Sequence, residues 1–144
     1  MSLITSNIVL GRNVLIGENC ILGTNGDIRG NNDYKGKVII GDNVRIGDGV
    51  IIHRGIEGET IIGDNSFIMS GSYIAHNVEI GENVEICPKV TIGGHAIIKN
   101  GAKIKIGSTI RNRITIGENS IVGMGSNVVK DVPNNVTVMG NPAK

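Results

Sequence analysis

Ile or Val occupies every sixth position of this chain from Ile62 to Val128, at 62, 68, 74, 80, 86, 92, 98, 104, 110, 116, 122 and 128. The phase extends upstream to Leu10, Ile16 and Leu22, and to Ile40, Ile46 and Ile52. Four residues after each such position the side chain is again small or apolar, from Ser66, Ser72 and Val78 through to Ser126 and Val132. A period of six matches neither a helix at 3.6 nor a two-sided strand at 2. It matches a coil in which each side is one short strand and one turn. The aliphatic residue and the smaller one four places on point inward.

The turns carry residues that tolerate the left-handed backbone region. Examples are Ile40-Gly-Asp-Asn43, Ile62-Gly-Asp-Asn65, Ile80-Gly-Glu-Asn83 and Ile116-Gly-Glu-Asn119. The last three begin at 62, 80 and 116, in multiples of 18. Three hexads therefore close one coil, and the cross-section is triangular. The expected fold is an all-β parallel β-helix of about six coils, beginning near Leu10, Ile40, Ile62, Ile80, Ile98 and Ile116. Rungs stack ~4.8 Å apart, and each coil buries its interior only against its neighbours. One domain is predicted across residues 1–144.

Two stretches break the phase. Between Leu22 and Ile40 the inner positions would be Ile28 and Tyr34, but Gly26–Gly36 is polar and glycine-rich. An excursion loop is expected near 23–37. A second is expected near 53–61, where ten residues separate Ile52 from Ile62. Loops leaving a solenoid usually serve its binding face.

Composition agrees. There are 26 Ile and 14 Val against 4 Leu, with 22 Gly, 17 Asn and no Trp. Such a chain suits short strands and tight turns rather than a helical bundle. Fourteen basic and 13 acidic residues leave a net charge of +1, so no general nucleic-acid footprint is expected. No window approaches the ~20 apolar residues of a membrane span. The N-terminal residues lack the features of a signal peptide, and a cytoplasmic protein is expected. Cys20, at an inner position, reads as a small core residue. Cys87 shows no nucleophile arrangement, and the two form no zinc motif.

The chain has three histidines: His53, His76 and His95. In the hexad frame they follow Ile52, Ile74 and Ile92, which share one side of the triangle in three successive coils. That clustering follows from the repeat alone. An imidazole with a pKa near ~6.5 suits proton abstraction at neutral pH. The plainer alternative for His76 is a surface histidine on a turn. His53-Arg54 opens the second excursion. It fits either an anion site or a loop held by ion pairs to Glu57 and Glu59. Arg111 and Arg113 flank Asn112 near Lys99, Lys103 and Lys105. That stretch fits either a phosphate or acidic-carrier surface, or a solvated face.

The pattern resembles the hexapeptide-repeat acyltransferases, whose fold is a left-handed parallel β-helix. The handedness is implied by the resemblance, because the general crossover rule would give right-handed. Within that superfamily the sequence is most similar to the UDP-N-acetylglucosamine O-acyltransferases of lipid A, and hence lipopolysaccharide, synthesis. The matching segments are Ile52-His-Arg-Gly55, Gly58-Glu-Thr60, Tyr73-Ile-Ala-His-Asn77, Gly93-Gly-His95, Gly123-Met-Gly-Ser126, Lys130-Asp-Val-Pro133 and Gly140-Asn-Pro142. Relative to that family the chain reads as shortened and without a C-terminal helical domain. Tyr73 stands where the family has a second histidine, and Asn77 where it has an aspartate. Arg111-Asn112 replaces a His-Gln pair.

The resemblance implies an acyltransferase moving an acyl or acetyl group from a thioester to a hydroxyl or amine of a sugar or nucleotide-linked sugar. His76 would be the general base. The Gly94 amide would face the tetrahedral oxyanion, with His95 lining the site. Substrate-binding positions would be His53, Arg54, Tyr73, Asn77, Arg111, Asn112, Gly123 and Met124, the last two at the place that sets acyl-chain length. The donor would be acyl-CoA or acyl carrier protein, with no tightly bound cofactor and no metal. The assembly would be a homotrimer with its sites between subunits. Two other readings stay open. One is a zinc enzyme of the γ-carbonic anhydrase type, whose His-x4-His pair is missing here. The other is a non-catalytic β-helix scaffold.

Overall fold

The computed structural model describes residues 1–30 and 33–144. Asn31 and Asn32, in the first expected excursion, lie outside the described residues. Among the described residues there are short strands and no helix, so no helix is long and apolar enough to cross a membrane. The strands form three parallel sheets of seven, six and seven members. Successive members of a sheet come from successive coils. In the first sheet Ile52 pairs with Ile74, Ile74 with Ile92, and Ile92 with Ile110. Three such sheets fit a triangular left-handed β-helix.

The count of coils is about seven rather than six. Leu3–Ile4 adds a rung against Ile21–Thr24 at one end, and Thr137–Val138 pairs with Ile121–Val122 at the other. These terminal rungs have covering strands on one side only. Leu3 and Ile4 stay exposed, and the aliphatic period is correspondingly weak there.

The interior is the hexad pattern made solid. Ile52, Ile62, Ile68, Ile74, Ile80, Ile86, Ile92, Ile98, Ile104 and Ile110 are fully buried, and so are the smaller inner residues from Ser66, Ser72 and Val78 through to Ser108. Inward serines are satisfied at the corners. Ser66 Oγ donates to the Gly81 carbonyl at 2.7 Å and accepts the Val84 N–H at 3.1 Å. Ser72 does the same between Cys87 and Val90. A buried hydroxyl without such partners would be destabilising. Cys20 is a buried inner residue, as expected, and lies against the Gly47 carbonyl.

Regular corners from Ile62 to Val122 turn through a left-handed residue three places after the aliphatic one. Asn13, Asn43, Asn65, Asn83 and Asn119 have φ between 55 and 60°. Asn77, His95 and Arg113 hold the same position at the corner between the first and second sheets, with φ of 60, 61 and 64°.

The two excursions leave from that same corner and pack on each other. They narrow to 25–37 and 54–59, because Thr24, His53, Thr60 and Ile61 are strand residues. Lys35 N–H donates to the Ile56 carbonyl at 2.7 Å, and Gly36 N–H to the Gly55 carbonyl at 3.0 Å. A Cβ on Gly36 would fall 1.8 Å from the Gly58 carbonyl oxygen, so only glycine permits this approach. The joined loops cover one corner of an otherwise regular prism.

Candidate active site

His53, His76 and His95 lie at this corner, at the ends of Ile51–His53, Tyr73–Ile74 and Thr91–Ile92, neighbouring strands of the first sheet. The clustering expected from the repeat phase is present. The His76 and His95 rings meet edge to face, with centroids 5.1 Å apart. The His53 ring meets Tyr73 in the same way at 5.1 Å, and Tyr34 lies edge-on to His76 at 6.4 Å.

The tautomer of His76 follows from its partners. Asn77 Oδ1 accepts the Ile56 N–H at 3.0 Å, and Asn77 Nδ2 donates to the Glu57 carbonyl at 2.8 Å. Those two contacts fix which end of the amide is oxygen. His76 Nδ1 lies 3.1 Å from that oxygen, and an amide oxygen only accepts. Nδ1 therefore carries the proton, and Nε2 of the neutral ring has a free lone pair. Nε2 faces Gly94: a Cβ built on Gly94 would lie 2.7 Å from it.

Asn77 thus does three things. Its backbone N–H donates to Thr60 Oγ1 at 2.8 Å, closing the corner. Its side chain ties down the 54–59 loop, and it orients the His76 ring. Arg54 ties the same loop to the other excursion. Its N–H donates to the Thr24 carbonyl, and its Nε to the Gly36 carbonyl at 2.8 Å. Among the described residues no ion pair joins Arg54 to Glu57 or Glu59, so the expected salt-bridged loop is a loop held by backbone carbonyls. Glu59 instead accepts the Lys37 N–H.

A cleft of about 270 Å³ opens beside His76, lined by Ile28, Ile56, His76, Gly94, His95, Asn112 and Arg113. A second, of about 290 Å³, shares His95 and is lined by Glu57, Gly58, Glu59, Asn77, Glu79 and Ile97. The first contains no carboxylate among its lining residues; the second has three. Gly94 supplies a free donor to this corner. At five other corners the middle N–H is capped by a side chain from the next coil: Arg12 by Asp42, Glu18 by Asp48, Asp42 by Asp64, Glu82 by Asn100 and Glu118 by Asn134. The corresponding cap for Gly94 would come from Asn112. Among the described residues the Gly94 N–H meets no acceptor.

Burial shifts the two flanking histidines in the same direction. Burial lowers the pKa of His53 below the usual imidazole value; the nearby Asp27 carboxylate opposes this, and His76 adds to it. Burial also lowers His95, helped by the Arg113 charge and by His76. Burial raises Tyr73, and Asp27 and Tyr34 raise it further. The Tyr73 hydroxyl is 3.1 Å from His53 Nδ1. Among the described residues no group of three His, Cys, Asp or Glu side chains is arranged to hold a metal ion.

Not every expected position joins the site. Asn112 lines the cleft; Arg111, also expected there, does not, and Arg113 takes the place beside Asn112. Gly123 and Met124 follow Ile121–Val122 of the third sheet. They lie at a different edge of the prism, and Met124 is exposed. The structure adds Asp27, Ile28, Tyr34, Ile56 and Thr60, mostly from the excursions. For the four excursion residues the only sequence signal was membership of a loop that breaks the hexad phase; Thr60 belongs to the Gly58-Glu-Thr60 segment.

Two family descriptions match parts of the chain: the bacterial transferase hexapeptide (six repeats) over residues 59–94, and the hexapeptide repeat of succinyl-transferase over residues 37–57. A search of curated proteins finds no match. Among solved structures, this hexapeptide-repeat chain is similar to UDP-N-acetylglucosamine acyltransferase from Campylobacter jejuni (TM-score 0.89, 24% identity, covering 99% of this chain and 64% of that one). It is also similar to UDP-N-acetylglucosamine O-acyltransferase from Moraxella catarrhalis (0.82, 27%, 99% and 66%). A third likeness is to perosamine N-acetyltransferase from Caulobacter crescentus, solved with CoA and GDP-perosamine (0.67, 24%, 99% and 55%). The chain spans less than two thirds of the length of each.

Proposed function

We propose that the protein is an acyltransferase that moves an acyl group from a thioester to a hydroxyl or amine of a sugar or nucleotide-linked sugar. The observation that carries this reading is the free Nε2 of His76 at the cleft, with Nδ1–H held by Asn77. The likeness to acyltransferases, one of them bound to CoA and a nucleotide sugar, supports the same chemistry.

In this reading Nε2 removes the acceptor's O–H or N–H proton as its oxygen or nitrogen attacks the thioester carbonyl. The carbonyl oxygen becomes an oxyanion, and the uncapped Gly94 N–H is the donor beside it. Collapse breaks the C–S bond, and His76 returns the proton to the leaving thiolate. No covalent enzyme intermediate is needed. The lowered pKa values of His95 and His53 disfavour a second positive charge beside the imidazolium that forms at His76. The donor is acyl-CoA or acyl carrier protein. The reading includes a trimer with parallel axes, since Gly123 and Met124 can join His76 only across a subunit boundary.

The test is thiol release from acetyl-CoA and from an acyl carrier protein, each with a panel of free and nucleotide-linked sugars. Acceptor-dependent thiol release is expected. Absence of release with every pair, from folded protein, would overturn the reading.

A further inference from the structure

The cleft at His76 contains a positive charge that the fold does not use. Arg113 follows Thr109–Ile110, and its N–H donates to the Gly94 carbonyl at 2.9 Å. Its backbone is left-handed, like that of His95 at the equivalent position of the preceding coil. Gly93 makes the close approach of these coils possible, because a Cβ there would lie 2.5 Å from the Asn112 amide nitrogen. Among the described residues the Arg113 guanidinium makes no ion pair and no hydrogen bond, and neither does the Asn112 side-chain amide. No carboxylate is among the residues lining their cleft. The cleft on the other side of His95 holds Glu57, Glu59 and Glu79. Around His95 the charges divide: Glu57, Glu59 and Glu79 line one cleft, and the Arg113 cation lines the other, while the Asp27 carboxylate stands near His53 and Tyr73.

We infer that Arg113, with Asn112 beside it, binds an anionic group of the substrate that reacts at His76, such as a phosphate, a diphosphate or a carboxylate. A planar guanidinium pairs such groups with two parallel hydrogen bonds, and the Asn112 amide adds a neutral donor. Arg113 lies about two rungs from Asn77, roughly 10 Å along the axis. That separation admits one sugar ring between the reacting atom and the anion. Arg111, two positions earlier and outside the cleft lining, has no part in this. The inference rests on the acyltransferase reading for its reacting partner, but the anion site itself does not.

The experiment compares the intact protein with Arg113→Gln and Arg113→Lys, and uses Arg111→Gln as a surface control. Binding of inorganic pyrophosphate and of a nucleoside diphosphate is followed by calorimetry. Transfer is followed with nucleotide-linked and neutral sugars, and with acetyl-CoA against a neutral acetyl thioester. Arg113→Gln is expected to weaken anion binding and to raise the matching KM roughly 10- to 100-fold, with kcat within a few-fold. Arg113→Lys should recover part of the loss, and Arg111→Gln should match the parent. A KM effect confined to the nucleotide-linked acceptor assigns the anion to the acceptor; one confined to acetyl-CoA assigns it to the donor. Unchanged binding and unchanged KM for every anionic substrate would overturn the inference while leaving acyl transfer standing. Arginine-dependent anion binding without any transfer would keep the anion site and sink the acyltransferase reading.

Discussion

Gly94 and His76 are placed so that one excludes any side chain on the other: a Cβ at residue 94 would sit 2.7 Å from His76 Nε2, well inside contact distance. The position of the His76 ring beside the free Gly94 N–H therefore depends on glycine here. At other corners the same turn position carries Asp42, Asp64 or Asn100, whose side chains cap the preceding coil.

Gly94→Ala is expected to lower transfer at least about 100-fold, the scale of losing a positioned base or an oxyanion donor. Gly94 is not in the left-handed region, so alanine introduces no backbone penalty and the coil should stay intact. Steady-state rates beside thermal melting check both halves. A variant with parental activity would show that Nε2 does not work from its observed position.

Asn77 links loop order to the base. Asn77→Ala removes the acceptor of the Ile56 N–H and of His76 Nδ1, and the donor to Glu57. kcat should fall, and the 54–59 loop should become open to limited proteolysis. Asn77→Asp keeps the acceptor for Ile56 and for His76 while losing the donor to Glu57. It should retain more activity than Asn77→Ala. Equal loss in both variants would mean that the amide's contact with Glu57, rather than orientation of the imidazole, is what matters.

Acid should destabilise the protein through the two flanking histidines. His53 and His95 have folded pKa values below the usual imidazole value, burial being the leading cause in each. Between the folded and unfolded pKa values the unfolded chain binds more protons, so stability rises with pH. This contribution is fully present above ~6.5 and is lost as pH falls through the lowered folded values. The melting temperature should drop between about pH 7.5 and pH 5. His53→Gln should flatten that slope. A melting temperature that rises with acid over this window would contradict the assignment.

The fold was largely legible because every coil repeats one burial problem, and Ile at each sixth position solves it the same way. The histidine cluster was legible for the same reason, since phase alone places His53, His76 and His95 on one side. Tyr34 and Asp27 were not, because the excursion that carries them has no repeat to set its register. The partner of Arg54 was misjudged because nearby glutamates suggested an ion pair, whereas the packed loops offer it the Gly36 carbonyl. Arg113 was visible as part of a basic stretch. Only the left-handed turn shows that it, and not Arg111, reaches the cleft.

The central claim is that His76 Nε2 is the base for acyl transfer. Its most direct test is the rate of acceptor-dependent thiol release by His76→Ala, beside the parent and a melting curve. The account predicts a loss of roughly 100- to 10,000-fold in kcat with the fold retained. A folded His76→Ala protein that transfers at the parental rate would contradict it.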